Sequence, residues 1–209
     1  MRMLAIECAT EACSVALFEG AGADARLLDH RHEVIGRGHA ERLVPMIGEL
    51  PERGRAERIL VSRGPGSFTG TRIGLATARA LAIAWGAQVA GFTTLGLVAA
   101  TARTLHDADG SALLVAMSGG HGEYFVQCFD AQGLPVADHR SLAPEQAAHF
   151  SDAPLVAGSR AEDLVALRGS GQAFEILPDA RFASALPAAL LSDRLAPIYG
   201  RPPDAKLPA

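Results

Sequence analysis

The first half of the chain alternates short apolar runs with amphipathic segments. Runs at Met3–Ile6 and Ser14–Phe18 flank a polar turn and predict a hairpin, which a third strand at Arg26–Val34 extends. Downstream, the pattern predicts helices and strands in alternation. The helices are His39–Leu50, a long segment ending near Trp85, and a segment from a Thr93–Thr94 cap to about Leu105. The strands between them are Ile59–Val61 and Val89–Phe92. Strands that alternate with helices indicate an α/β fold.

Within the first predicted helix, Pro45 indicates a kink or a later start. The strand and hairpin pattern begins again after a polar stretch at residues 107–111. The predicted elements of this second half are strands at Leu113–Met117 and Tyr124–Phe129, a helix after Pro144, a strand at Pro154–Ala157, a helix through Leu167 and helical structure at Ala183–Leu191. The repetition predicts two lobes, at residues 1–106 and, in shorter form, at 107–192, followed by a proline-rich tail at 193–209.

Composition narrows the class of protein. The 209 residues are 49% hydrophobic and carry a net charge of −4. No apolar run reaches the ~18 residues that a membrane span needs, and Glu7 interrupts the apolar N-terminal segment, so we expect a cytoplasmic protein without membrane contact. Three cysteines without a Cys-x-x-Cys spacing indicate neither a disulfide framework nor a zinc site. A mildly acidic chain without a basic run is also poorly suited to bind nucleic acid by itself.

The stretch from Gly64 to Gly74 has the pattern of a glycine turn that opens a helix. A Walker loop is excluded because the only lysine of the chain is Lys206. Pro65 stands where a serine nucleophile elbow needs its first glycine, so Ser67 is interpreted as a helix cap.

Small residues recur at every fourth position of the following helix and leave one of its sides almost bare. They are Gly66, Gly70, Gly74, Ala78, Ala82 and Gly86. Because glycine inside a helix costs about 0.5–1 kcal/mol relative to alanine, close approach of another element is the expected compensation. The spacing leaves two alternatives open, tight packing on the protein's own sheet or on a helix of a second protein.

Three segments resemble the bacterial TsaB (YeaZ) family. They are the run from Gly64 to Ala78, the opening from Leu4 to Leu17 and the closing Pro197–Arg201. The resemblance implies two ribonuclease-H-like lobes of the actin, sugar kinase and Hsp70 type, with the second lobe shortened. It also implies a non-catalytic partner subunit of the complex that forms threonylcarbamoyladenosine next to the anticodon, in tRNAs reading codons that begin with A.

In that family, TsaD is the transferase and TsaE supplies the ATPase activity. The resemblance implies that this chain binds tRNA only indirectly, through the complex. The resemblance implies that the small-residue helix face and the helix at 39–50 dock against TsaD, or against a second copy in a homodimer. The predicted interface residues are His39, Leu43, Met46, Gly66, Thr69, Gly70, Ile73, Gly74 and Ala78. We expect Gly74→Leu to abolish the complex while the monomer stays folded, provided that Gly74 points outward.

A nucleotide contact is predicted at the two hairpin turns, through Glu7, Thr10, Gly119 and Gly120. Relatives carry Asp-Ala-Arg where this chain has Ser118–Gly120, which weakens a self-sufficient nucleotide site. We expect the chain to have no cofactor of its own. The alternative that stays open is ATP or ADP with Mg²⁺ at the partner interface. The rival function is a small ATPase or sugar-kinase-like phosphotransferase that acts alone, and a homodimeric regulatory module unrelated to tRNA is a third alternative.

No metal site is expected from the histidines. His39 has Leu43 four positions on, where a second helix ligand would stand, and His30 and His32 alternate with charged neighbours along one predicted strand. The carboxylates of Glu7, Glu11 and Glu123 either meet in the cleft, where a pair would hold Mg²⁺ through water, or are solvated turn residues.

Overall fold

A computed structural model describes residues 1–106 and 110–200. Its first sheet begins with three antiparallel strands, β1 (Arg2–Glu7), β2 (Ala12–Glu19) and β3 (Arg26–Val34). Two further strands, β4 (Arg58–Ser62) and β5 (Gln88–Phe92), lie parallel to β1 on its other side. The strand order is therefore β3-β2-β1-β4-β5.

Three helices flank this sheet, α1 (His39–Gly48), α2 (Phe68–Trp85) and α3 (Thr94–His106). The alternation of side chains along β1 divides the core between the two faces of the sheet. Leu4 and Ile6 pack with α1 and α2, whereas the odd-numbered residues of β1 pack with α3 on the opposite face.

The second sheet repeats this arrangement at smaller size. Its antiparallel strands are β6 (Leu113–Gly120), β7 (Glu123–Phe129) and β8 (Arg140–Leu142), and β9 (Leu155–Ala157) and β10 (Gln172–Phe174) add in parallel beyond β6. Both sheets thus place the first strand centrally, with a hairpin on one side and parallel strands on the other. Two short helices, α4 (Pro144–Ala148) and α5 (Ala161–Arg168), pack on one face.

Helix α3 connects the cores of the two lobes. Leu97 and Ala100 belong to the cluster beneath the first sheet, whereas Leu95 and Val98 pack with residues of the second sheet. Among the helices of residues 1–106 and 110–200, none has the length and apolar character needed to cross a membrane.

Two local expectations from the sequence are wrong. Of the two alternatives for Pro45, the later start is wrong, because helix α1 begins at His39 and Pro45 lies on its exposed side, whereas the kink stays a prediction. The predicted helical segment Ala183–Leu191 consists of two short 3₁₀ turns, Ala180–Ala185 and Ala188–Leu190. Pro187 lies between these turns, where it disfavours a continuous helix.

The predicted lobe boundaries at residues 106/107 and 192/193 stay predictions. Residues 107–109 and the part of the tail from 201 onward, which includes Lys206, lie outside the described residues. The described part of the tail, up to Gly200, has no helix, as its prolines predict.

Candidate functional site

A cleft of about 810 Å³ lies between the hairpin turns of the two lobes and the beginning of α2. Its lining includes Thr10, Ser67, Phe68, Gly119, Gly120 and Tyr199. Three of the four predicted nucleotide-contact residues, Thr10, Gly119 and Gly120, therefore border one cavity. Whether a nucleotide binds there stays a prediction.

Glu7, the fourth predicted contact, does not line this cleft. As an odd-numbered residue of β1 it lies on the same sheet face as Met3 and Ala5, toward α3. Its carboxyl is completely buried, and Oε1 accepts the backbone N–H of Ala9 at 2.5 Å. Oε2 has no hydrogen-bond partner among the residues that the structure describes.

Desolvation is the main influence on this carboxyl and raises the pKa of Glu7 to about 7. The hydrogen bond from Ala9 and the hydroxyls of Ser62 and Thr94, which bond each other at 2.8 Å, partly offset that rise in the pKa. The expectation that Glu7 is either a solvated turn residue or a magnesium ligand in the cleft is therefore wrong.

The other two candidate carboxylates lie apart from Glu7. Glu11 borders the cleft, and Glu123 accepts a hydrogen bond from the Ser141 hydroxyl at 2.6 Å. Within residues 1–106 and 110–200, no group of three or more acidic, histidine or cysteine side chains could hold a metal ion. The His39 ring lies between α1 and β2, with Nε2 3.2 Å from the carbonyl oxygen of Ala12.

The glycines of α2 and the preceding turn pack against the protein's own first lobe. A Cβ at Gly66 would overlap the carbonyl oxygen of Ala9, and one at Gly70 would overlap that of Cys8. A Cβ at Gly74 would lie 2.8 Å from Cys8 Sγ. Of the two alternatives left open by the spacing, internal packing is the one that the structure shows.

This packing corrects the predicted interface. The side chains of His39, Leu43, Met46 and Ala78 are buried with the glycines, so they do not present a surface to a partner. Gly74 points inward, and Gly74→Leu would disturb the fold rather than only a complex. Thr69 is exposed and Ile73 partly so, and their role in an interface stays a prediction.

The outer surface of α1 and α2 combines exposed apolar and small side chains with the exposed Glu41, Arg72 and Arg79, and within residues 1–106 and 110–200 it stays accessible. We define the α1/α2 face by its exposed residues Val44, Pro45, Ala76, Ala80 and Ile83. Val44 is 57% and Ile83 86% exposed, and α2 contains no acidic residue. The sequence held a signal for this face, because Ala76, Ala80 and Ile83 lie at helical spacing away from the glycine side.

An aromatic and guanidinium cluster borders the cleft at the start of α2. The Arg72 guanidinium carbon lies 3.5 Å from the centre of the Phe68 ring, and the Tyr199 ring stacks on Phe68 at 5.3 Å between centres. The Tyr199 hydroxyl accepts hydrogen bonds from Arg72 Nε at 3.1 Å and Nη2 at 2.9 Å. Sequence reasoning missed this cluster because Tyr199 is 127 positions from Arg72.

Comparison with known proteins identifies relatives of this chain. The family model TsaD, tRNA N6-adenosine threonylcarbamoyltransferase, matches residues 32–178. The tRNA threonylcarbamoyladenosine biosynthesis protein TsaB of Escherichia coli (strain K12) is 36% identical over 130 residues, which cover 60% of this chain and 53% of that protein. The protein of the same description from Haemophilus influenzae is 35% identical over 115 residues, covering 52% of this chain and 46% of its own length. The chain thus spans about half the length of these curated relatives.

A solved structure extends the similarity over nearly the whole chain. YeaZ from Pseudomonas aeruginosa has a TM-score of 0.75 and 28% identity, with 95% of this chain and 99% of that chain covered. This similarity, with the two mixed five-stranded sheets, confirms the predicted two-lobed α/β fold of the actin type. The chain therefore belongs to the TsaD-related threonylcarbamoyltransferase family and, within it, to the TsaB (YeaZ) proteins.

Proposed function

We propose that this chain is the non-catalytic partner subunit of the complex that forms threonylcarbamoyladenosine next to the anticodon of tRNA. In this role it binds and supports a TsaD-type transferase, while TsaE and tRNA join through the complex. The observation that carries the proposal is the uncovered α1/α2 face, on which Ile83 is 86% exposed. The names of the TsaB relatives, as tRNA threonylcarbamoyladenosine biosynthesis proteins, support the same role.

The α1/α2 face has the properties of a docking surface for another helical layer. Its side chains are small or apolar, which lets the backbone of a partner helix approach closely. Helix α2 has 18 residues and is therefore about 27 Å long. With α1 beside it, this length supports an interface approaching the ~1,200 Å² of total buried surface that stable complexes need. A second copy of the chain would use the same face when the transferase is absent.

Packing at the start of α2 argues against phosphate chemistry by this chain alone. The backbone N–H of Ser67 donates to the carbonyl of Ala9 at 2.5 Å, and Gly66 and Gly70 press against the same turn. Helix backbone thus fills the space through which a phosphate would approach the β1–β2 turn from this side. Together with the burial of Glu7, this supports an accessory role and disfavours the rival phosphotransferase.

ATP or ADP with Mg²⁺ at the partner interface remains part of this proposal. Apart from the α1/α2 face, the cleft between the lobes offers the hydroxyl of Thr10 and the glycine turn at Gly119 and Gly120 for such a ligand. The chain has a net charge of −4, so the phosphates of tRNA would be held mainly by other subunits.

Ile83→Asp tests the docking face. Because the substitution places a charge in the proposed apolar contact, we expect it to weaken binding to the TsaD-type protein of the same cells at least tenfold. The matched control is Leu167→Asp on α5, whose wild-type side chain is 50% exposed in the second lobe. Calorimetric titration measures both variants, and sedimentation of the isolated chain reports a homodimer by the same face. Wild-type affinity of Ile83→Asp, or equal weakening by both variants, would place the docking surface elsewhere.

A further inference from the structure

The last described residues of the chain run from the first lobe to the second. We call residues 192–200 the strap. Its first residue pairs with β5, where the backbone N–H groups of Gly91 and Ser192 donate to each other's carbonyl oxygens at 2.7 and 2.9 Å. Two arginines then hold its carbonyl groups, because Arg63 donates to Arg194 at 2.7 Å and Arg79 donates to Leu195 at 2.9 Å.

The strap next crosses the turn that precedes α2. The backbone N–H of Ile198 donates to the carbonyl of Arg63 at 2.6 Å. Gly64 makes this crossing close, since a Cβ there would lie 2.7 Å from the carbonyl oxygen of Ile198. Gly64 also has a φ of +88°, a conformation that suits glycine.

Tyr199 contacts both lobes. Its ring and hydroxyl bind Phe68 and Arg72 of α2 in the first lobe. Its backbone lies beside the side chain of His139, which precedes β8 in the second lobe. The next residue, Gly200, lies so close to Phe125 of β7 that a Cβ would overlap its ring.

We propose that the strap clasps the two lobes and sets the width of the cleft between them, with Tyr199 as the joining residue. The contact of Gly200 with Phe125 attaches the strap to the second lobe, while the stack of Tyr199 on α2 attaches it to the first. Helix α3 and the segment from Ile176 to Leu186 join the lobes through their cores, and the strap is a further connection that restricts rotation about them. Because Tyr199 and Gly200 line the cleft, the strap also controls entry of a ligand into its ~810 Å³.

The strap predicts a measurable change in the distance between the lobes of the isolated chain. Spin labels at Glu41→Cys and Ala166→Cys, both exposed, would report this distance by pulsed electron resonance in a Cys128→Ser background. Cys8 and Cys13 are buried and escape labelling. With the strap intact we expect one narrow distribution, and Tyr199→Ala should add a population shifted by more than about 2 Å.

Tyr124→Ala is the matched control, because Tyr124 also pairs with an arginine but only inside the second lobe. Its ring lies 5.8 Å from the Arg160 guanidinium carbon, and its hydroxyl bonds Asp163 at 3.4 Å. The control should keep the wild-type distribution. An unchanged distribution in folded Tyr199→Ala, or equal broadening by both variants, would overturn the proposal.

Gly200→Ala decides the question if Tyr199→Ala does not fold. It leaves every contact of Tyr199 with α2 in place and displaces the strap only from Phe125. A broadened distribution supports the clasp, and a wild-type distribution overturns it. Because no transferase is present, and because dilution of the labelled chain with unlabelled chain removes distances across a homodimer, the outcome is independent of what the α1/α2 face binds.

Discussion

Gly70→Ala is expected to destabilise the protein by about 2 kcal/mol or more, although alanine normally stabilises a helix relative to glycine. The added methyl group would overlap the carbonyl oxygen of Cys8, a buried residue that directly follows β1. The Gly70 carbonyl in turn accepts a weak hydrogen bond from Cys8 Sγ at 3.4 Å. Relief therefore requires a shift of α2 away from the sheet. Urea unfolding of the purified variant measures the cost.

Gly48→Ala is the matched control for this prediction. Gly48 is the last residue of α1, and a Cβ there would meet no atom within 4 Å. We expect a gain of about 0.5 kcal/mol, because alanine restricts the unfolded chain without creating a clash. The two glycine replacements should thus change the unfolding free energy in opposite directions. A gain at both positions would show that the contact between α2 and the β1–β2 turn is loose.

Glu7→Gln should make the protein progressively more stable than the wild type as the pH rises. Burial raises the pKa of Glu7 from its ordinary 4.5 to about 7 in the folded state. A raised pKa means that the folded protein binds the proton more tightly than the unfolded chain, so wild-type stability falls as pH rises from about 4.5 to about 7. Glutamine is neutral throughout and avoids this loss, which corresponds to about 3 kcal/mol.

Urea midpoints of the wild type and Glu7→Gln between pH 5 and pH 8 measure this divergence. Glu33→Gln serves as the control, because the hydrogen bonds from Arg42 lower the pKa of Glu33 below its ordinary value. A lowered pKa stabilises the protein above that ordinary value and loses the effect only at more acidic pH, so this variant should differ from the wild type by a constant amount. Parallel curves for Glu7→Gln would mean that its carboxyl is solvated in the folded protein.

The orientation of α2 could be predicted only in part from the local pattern. The spacing of Gly66, Gly70 and Gly74 correctly indicated a close approach, but it is equally compatible with a sheet and with a foreign helix. In the structure the glycines contact the turn between β1 and β2, so their close approach is to the protein's own first lobe and not to a foreign helix. The uncovered side of α2 is consequently the opposite one, which carries Ala76, Ala80 and Ile83.

Candidate site residues were predicted with mixed success for a related reason. Thr10, Gly119 and Gly120 do border one cleft, because turns that follow the central strands of the two sheets face each other. Glu7 lies only three positions before Thr10 but is still within β1, where its face is set by alternation along the strand. The sequence of a strand does not show which of its two faces another helix or the second lobe will cover.

By itself, the sequence determined the strands and helices of the first lobe, the repetition of two hairpin-led lobes and the resemblance to TsaB, because periodicity, glycine turns and motifs are local properties of a chain. It missed the short strands β8 and β10 of the second lobe. Only the tertiary structure decided that the glycine side of α2 is covered, that Glu7 is deprived of water, and that Tyr199 reaches Arg72 across 127 positions. These three features depend on contacts between segments far apart in the chain, and such contacts leave no periodic signal in either segment alone.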